Sequence, residues 1–189
     1  MQDIDLIITG ARALLLDDKN TCLNNAAVAV NGDEIIAVGD SKKIVKQYTA
    51  KKTVEAGDSL IMPGFVNCHT HAAMTCFRGI ADDLALMDWL NNYIFPAEAK
   101  NVNTDLAYWG SLLGTAEMIK SGTTTFCDMY IFEDETARAA KEAGIRCLVG
   151  EVLFDFPSPN FKTPDEGVAY TKMLIEKWQD DPLVNIMIE

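Results

Sequence analysis

A chain of 189 residues, 49% hydrophobic and 23% charged, has ordinary globular composition, enough for one medium domain or for one small domain plus part of another. Its formal net charge of −12, scattered rather than in blocks, argues against a nucleic-acid backbone as partner, and no apolar run approaches the roughly 20 residues that span a bilayer. Five cysteines, odd in number and without a Cys-x-x-Cys pair, predict free thiols in a reducing compartment; the acidic start lacks a basic signal segment, so the expected location is cytoplasmic.

Residues 1–60 read as a small β-module. Ile4 to Ile8, Ala11 to Leu16, Ala27 to Val30 and Glu34 to Val38 are apolar runs of strand length, punctuated by Gly10 and Gly39. Asn31-Gly32-Asp33 predicts a hairpin turn, because Asn and Gly tolerate positive φ. Ser41 to Tyr48 reads as a short helix capped by Ser41, and two more strands, Lys52 to Glu55 and Leu60 to Met62, flank the turn at Ala56-Gly57-Asp58.

From residue 61 the pattern alternates strand and helix. Ile61 to Val66 is an apolar run broken by Pro63-Gly64, and Phe65-Val66 reads as a buried strand. Thr104 to Lys120 is predicted to be a helix capped by Thr104 and stopped by Ser121-Gly122, with Leu106, Trp109, Leu113, Ala116, Met118 and Ile119 as its core positions. Thr123 to Asp128 is a strand, Glu133 to Ala143 a helix closed by Gly144, and Arg146 to Leu153 a strand. Thr163-Pro164-Asp165-Glu166 opens a helix running to about Gln179, and Val184 to Ile188 is a fourth strand. Such alternation predicts a parallel sheet with right-handed crossovers. An eight-stranded barrel takes about 200 residues or more, so residues 61–189 hold half of one, and an N-terminal fragment is expected. The alternative is a four-stranded sheet closed by dimerisation, which would expose strand edges.

The chemistry concentrates at the end of the first of these strands, where the sequence reads PGFVNCHTH. His69 and His71 are the only histidines. Residues i and i+2 of a strand share a face, so the two imidazoles are predicted to converge as half of a metal site. Cys68 between them is expected to be a small buried filler.

PGFVNCHTH, followed by MTCFRGIADDLALMDWLNNYIFPAEAK, resembles the amidohydrolase superfamily, and within it the 5-methylthioadenosine/S-adenosylhomocysteine deaminase branch. The resemblance covers nearly the whole chain. It implies an α/β fold: the N-terminal half of a (β/α)8 TIM-type metal-dependent hydrolase barrel, residues 61–189, preceded by a small β-sandwich module, residues 1–60. It implies one divalent metal ion, zinc first and iron second, held in part by His69 and His71. It implies hydrolytic deamination of an adenosine-type nucleoside, the catalytic acid/base groups lying outside these residues. Glu98 corresponds to the carboxylate that receives the ribose hydroxyls; read alone it is a solvent-facing helix residue. Trp89 is either a pocket wall or a core aromatic, and Asp128 either orients a histidine or caps a strand end. Arg78-Gly79 and Asp82-Asp83 are expected to shape the loop, and Asp88 to cap the helix after it.

GEVLFDFPSPN lacks the arginine with which some members contact substrate; Phe154, Phe156, Pro157 and Pro159 are offered instead as an apolar wall for a thioether tail. The implied partner is a small nucleoside, with homo-oligomerisation of the full-length protein. The rival readings are a triazine- or guanine-type hydrolase, a cyclic-amide hydrolase, and a non-catalytic fragment.

Overall fold

In a computed structural model describing residues 1–189, the chain divides into two compact units, Met1–Pro63 and Gly64–Glu189. The first is a five-stranded sheet of β1 (Gln2–Leu14), β2 (Cys22–Asn31), β3 (Glu34–Asp40), β4 (Tyr48–Glu55) and β5 (Leu60–Ile61), with α1 (Ser41–Gln47) before β4. The order is β3-β2-β1-β4, with β5 also pairing β1. Ile4, Ile7, Ala27 and Ala29 of the sheet pack with Ile44 of α1 and with Tyr48, so within these residues the helix supplies the second layer.

Three expectations change here. The two strands drawn on either side of Gly10 are one, because Gly10 sits inside β1, where an added Cβ would come 3.0 Å from the Ile61 side chain. The cap of α1 is Asp40, which accepts from Lys43 N at 3.2 Å, rather than Ser41. β4 begins at Tyr48, four residues earlier than the apolar pattern implied, and most of its residues are exposed.

The second unit is built on a parallel sheet whose spatial order follows the chain: β6 (Phe65–Thr70), β7 (Thr123–Tyr130), β8 (Arg146–Glu151) and β9 (Val184–Ile186). That is four of the eight strands of a (β/α)8 barrel, with helices as the crossovers. After β6 come a 3₁₀ helix at Ala72–Phe77, α2 (Leu86–Trp89), a π-helical turn at Leu90–Ile94 and α3 (Phe95–Asn101). α4 (Thr104–Lys120), α5 (Glu133–Ala143) and α6 (Pro164–Trp178) follow. Phe126, Val149, Leu174, Trp178 and Val184 form the core between sheet and helices. α6 starts as its sequence predicted: Thr163 accepts from Glu166 N while the Glu166 side chain reaches back, a reciprocal capping box.

The inner face of α4 departs from expectation. Trp109 is 63% exposed, and Leu113 and Ile119 are exposed as well; the buried residues are Ala107, Gly110, Ser111, Gly114 and Thr115. The reason is distance. An added Cβ at Gly110 would lie 2.5 Å from the Ala73 carbonyl oxygen, and one at Gly114 would lie 3.1 Å from that of Ala72. The helix rests directly on the backbone that follows His71, and only small residues allow that approach. Gly110→Ala is therefore expected to destabilise the unit by about 1–3 kcal/mol by overpacking, read as a lower denaturation midpoint. The cap is Asn103, accepting from Leu106 N at 3.0 Å, not Thr104.

Phe65 and Val66, expected buried, are exposed, because β6 is the outer strand of the described sheet with a neighbour on one side only. Cys68 is exposed too, and so is not a core filler. β8 and β9 end earlier than predicted, at Glu151 and Ile186. No helix is long and apolar enough to cross a membrane.

Candidate metal centre and substrate pocket

The end of β6 is irregular. Its pairing with β7 slips between Asn67 and Thr70, and the Asn67 side chain accepts from His69 N at 3.3 Å across the break. The two imidazoles nevertheless meet, with ring centroids 5.1 Å apart and planes at 79°. His71 Nδ1 lies 2.5 Å from the Met129 carbonyl oxygen. A carbonyl only accepts, so the proton belongs on Nδ1 and the lone pair on Nε2 is free for a cation. Among these residues no third His, Cys, Asp or Glu joins the pair in a cluster. The donor set fits two ligands of a nitrogen-rich divalent site.

Asp128 resolves as a clasp on backbone. Its Oδ1 accepts Ala72 N at 2.7 Å and lies beside the Thr70 hydroxyl, which also reaches the Cys127 carbonyl oxygen at 2.9 Å. It holds the residues on either side of His71, while the imidazole itself is oriented by the Met129 carbonyl.

His71 also lines a cavity of about 400 Å³, together with Met74, Trp89, Ile94, Glu98, Tyr130, Phe154 and Phe156. Glu98 reaches this cavity through the helical distortion before it. Pro96 has no N–H and its ring crowds the carbonyl four residues back; the π-turn at Leu90–Ile94 widens the helix immediately before it. Glu98 is half-buried, and Tyr130 Oη donates to its Oε1 at 2.8 Å. Burial pushes the Glu98 carboxyl above its usual range, against the Tyr130 hydrogen bond. Burial, and then the Glu98 charge, push the Tyr130 hydroxyl up, so it stays a neutral donor.

Trp89 and Phe156 both line this cavity, and Phe156 stacks on Phe154 at 4.8 Å between centroids. Asp88 is not a cap: it sits inside α2, whose N-cap is Ala85, and it receives the Asn92 amide. Arg78 pairs with Glu117 at 2.7 Å, an exposed bridge of small energetic weight. Sequence reasoning missed Tyr130. Its only signal was an aromatic residue at the C-terminal end of a parallel strand, where barrels gather their functional groups.

Beneath the site lies a second group the sequence did not flag. Glu151, at the end of β8, accepts from Glu133 N at 2.9 Å, Phe132 N at 3.3 Å and the Asn160 amide at 2.8 Å. It caps α5 from another strand, over the left-handed Phe132 (φ 62°). Burial, the largest influence, pushes Glu151 up to about 7 from 4.5, against those donors. The folded protein thus holds a proton that the unfolded chain has lost. The resulting stability is complete below about pH 4.5 and is lost as pH rises through about 7. Glu151→Gln keeps an acceptor but no titration, so the pH-dependent part of the unfolding free energy, read from urea melts across that window and up to about 3 kcal/mol, is expected to disappear.

With this geometry established, comparison with known proteins is informative. The amidohydrolase family model matches residues 60–184. The chain belongs to the amidohydrolase family. Among curated relatives, it is 64% identical over all 189 residues to a 5-methylthioadenosine/S-adenosylhomocysteine deaminase 1 of Syntrophus aciditrophicus (strain SB), of which it spans 43%. Among solved structures of the fold, it resembles a zinc-bound adenosine deaminase from Xanthomonas campestris at TM-score 0.96 and 37% identity, covering 99% of this chain and 43% of that one. A guanine deaminase from C. acetobutylicum with bound guanine follows at TM-score 0.78 and 27% identity, covering 96% and 45%. As an amidohydrolase the chain is a partial barrel, and the candidate site residues lie at the C-terminal ends of barrel strands or in the segments after them.

Proposed function

We propose that this chain provides part of the metal site and the nucleoside-binding wall of a hydrolytic deaminase. Its substrates are adenosine-type nucleosides, 5′-methylthioadenosine and S-adenosylhomocysteine. Water adds at the purine C6, the C6–N bond breaks, and the inosine analogue and ammonia leave. The observation that carries the reading is that His71 and Glu98 open onto one cavity, with Tyr130 linking its two walls. The names of the relatives point the same way.

His69 and His71 would hold the ion, and zinc is the metal favoured by two imidazoles and by the zinc-bound neighbour. When bound, it supplies a water acidic enough to ionise near neutral pH. The chain's own groups do the rest. Met129 fixes the His71 tautomer through its carbonyl. Glu98, oriented by Tyr130, offers acceptors suited to paired ribose hydroxyls. Trp89 and the Phe154–Phe156 stack present apolar surface and exclude water. A cytoplasmic location and a small-molecule nucleoside as the principal partner accompany this reading.

Steady-state ammonia release with methylthioadenosine, adenosine and guanine tests it in the holoenzyme. The thioether nucleoside is expected to give the highest kcat/KM, and a preference for guanine would overturn the assignment. In the same assay Phe156→Ala is expected to lower the preference for methylthioadenosine over adenosine by about tenfold, the worth of a methyl-sized apolar contact. An unchanged ratio removes Phe156 from the tail pocket.

A further inference from the structure

Three carboxyl oxygens in the barrel unit are buried with no donor: Glu133 Oε1 and Oε2, and Asp128 Oδ2. Both residues are fully enclosed, at 0% exposure. Two carboxylates at hydrogen-bonding range repel strongly in a low-dielectric interior, unless one keeps its proton and donates it to the other. The partners decide which one. Asp128 Oδ1 already accepts from Ala72 N and lies beside the Thr70 hydroxyl, whereas neither oxygen of Glu133 has a donor. The carboxyl of Glu133 lies beside Asp128 and near Glu151; the Thr136 hydroxyl next to it is shared with Ser111 at 3.0 Å, a pair in which either hydroxyl can donate.

We propose that Glu133 is a neutral carboxylic acid that donates its proton to Asp128 Oδ2, and that this pair is what holds Thr70 and Ala72, and with them His71, in place. Glu133 is then a positioning residue. It touches neither substrate nor the imidazoles, but it satisfies the far oxygen of Asp128, whose near oxygen grips the segment between β6 and the 3₁₀ helix. Burial, followed by the Asp128 charge, raises the Glu133 carboxyl well above its ordinary range, in agreement with this assignment. The same segment is backed by α4 at Gly110 and Gly114, so it is fixed from both sides.

The test uses infrared spectroscopy and amide hydrogen exchange on the metal-free protein, so that it stands apart from the zinc reading. Above about pH 8, where Glu151 is largely ionised, the spectrum should hold the C=O stretch of one buried neutral carboxyl, and that band should vanish in Glu133→Gln. The glutamine amide can still donate to Asp128, so Ala72 N–H exchange in that variant should stay close to that of the unmodified protein. Glu133→Leu keeps the bulk but removes the donor, and Ala72 exchange should rise by about tenfold or more. If the leucine variant does not fold, the band and its loss in Glu133→Gln still decide. Absence of the band, its survival in Glu133→Gln, or equal Ala72 exchange in the two variants would overturn the proposal.

Discussion

His71→Ala is expected to abolish stoichiometric zinc binding and to lower kcat/KM of the holoenzyme by about a thousandfold or more, since several kcal/mol of transition-state stabilisation goes with the ion. The structural cost should be small. The ring of His71 makes one recorded hydrogen bond, to the Met129 carbonyl, and the segment around it is held independently by Asp128 and by α4. The far-ultraviolet spectrum and the denaturation midpoint should therefore stay near those of the unmodified protein. His69→Ala should behave alike, because the two rings converge, with centroids 5.1 Å apart. Metal content by mass spectrometry, measured beside activity, checks this directly. A variant that keeps its zinc but loses activity would mean that His71 acts on substrate instead.

The second large effect belongs to Glu98. Glu98→Ala removes a partly desolvated carboxylate that the proposed function places against the substrate, and hydrogen bonds to charged groups are worth about 1.5–3 kcal/mol. The expected loss in kcat/KM is about ten- to a hundredfold. If Glu98 receives the ribose as proposed, the loss should appear mainly in KM, since a contact made equally in ground and transition states leaves kcat unchanged. Tyr130→Phe deletes only the hydroxyl that orients Glu98, at 2.8 Å, and should cost about fivefold in the same parameter. The order of the two variants, and their shared signature in KM, separate a substrate-binding carboxylate from a catalytic one. A drop confined to kcat would assign Glu98 to the chemical step.

Much of this architecture was legible in the chain, for identifiable reasons. The Pro63-Gly64 break, the short apolar run and the His-x-His pair marked a strand end bearing a donor pair, and the resemblance carried by those residues gave the barrel. Thr163, Pro164 and Glu166 wrote the start of α6 in local chemistry, and the capping box is present. Local chemistry also marked the turn at Asn31-Gly32-Asp33, between β2 and β3.

What escaped the sequence was everything set by close approach or by burial of charge. Trp109 and Leu113 read as core because they are apolar, yet the inward face of α4 is chosen for smallness, and hydrophobic periodicity does not register that. Glu133 reads as an ordinary first-turn acid favoured by the helix dipole; nothing local says that β7 places Asp128 against it. Glu151 falls inside the strand predicted from Arg146 to Leu153, and its role as the cap of α5 needs residues eighteen positions apart. Cys68 and Phe65 were misjudged because an outer strand of a curved sheet leaves exposed residues that a central strand would bury.

X-ray absorption at the zinc edge of the holoenzyme reads whether the neighbouring imidazoles of His69 and His71 share one ion. Imidazole scattering around zinc is expected in the unmodified holoenzyme, and stoichiometric zinc, with that scattering, is expected to be lost when both residues are replaced by alanine. Unchanged imidazole scattering and full zinc occupancy in that double variant would contradict it.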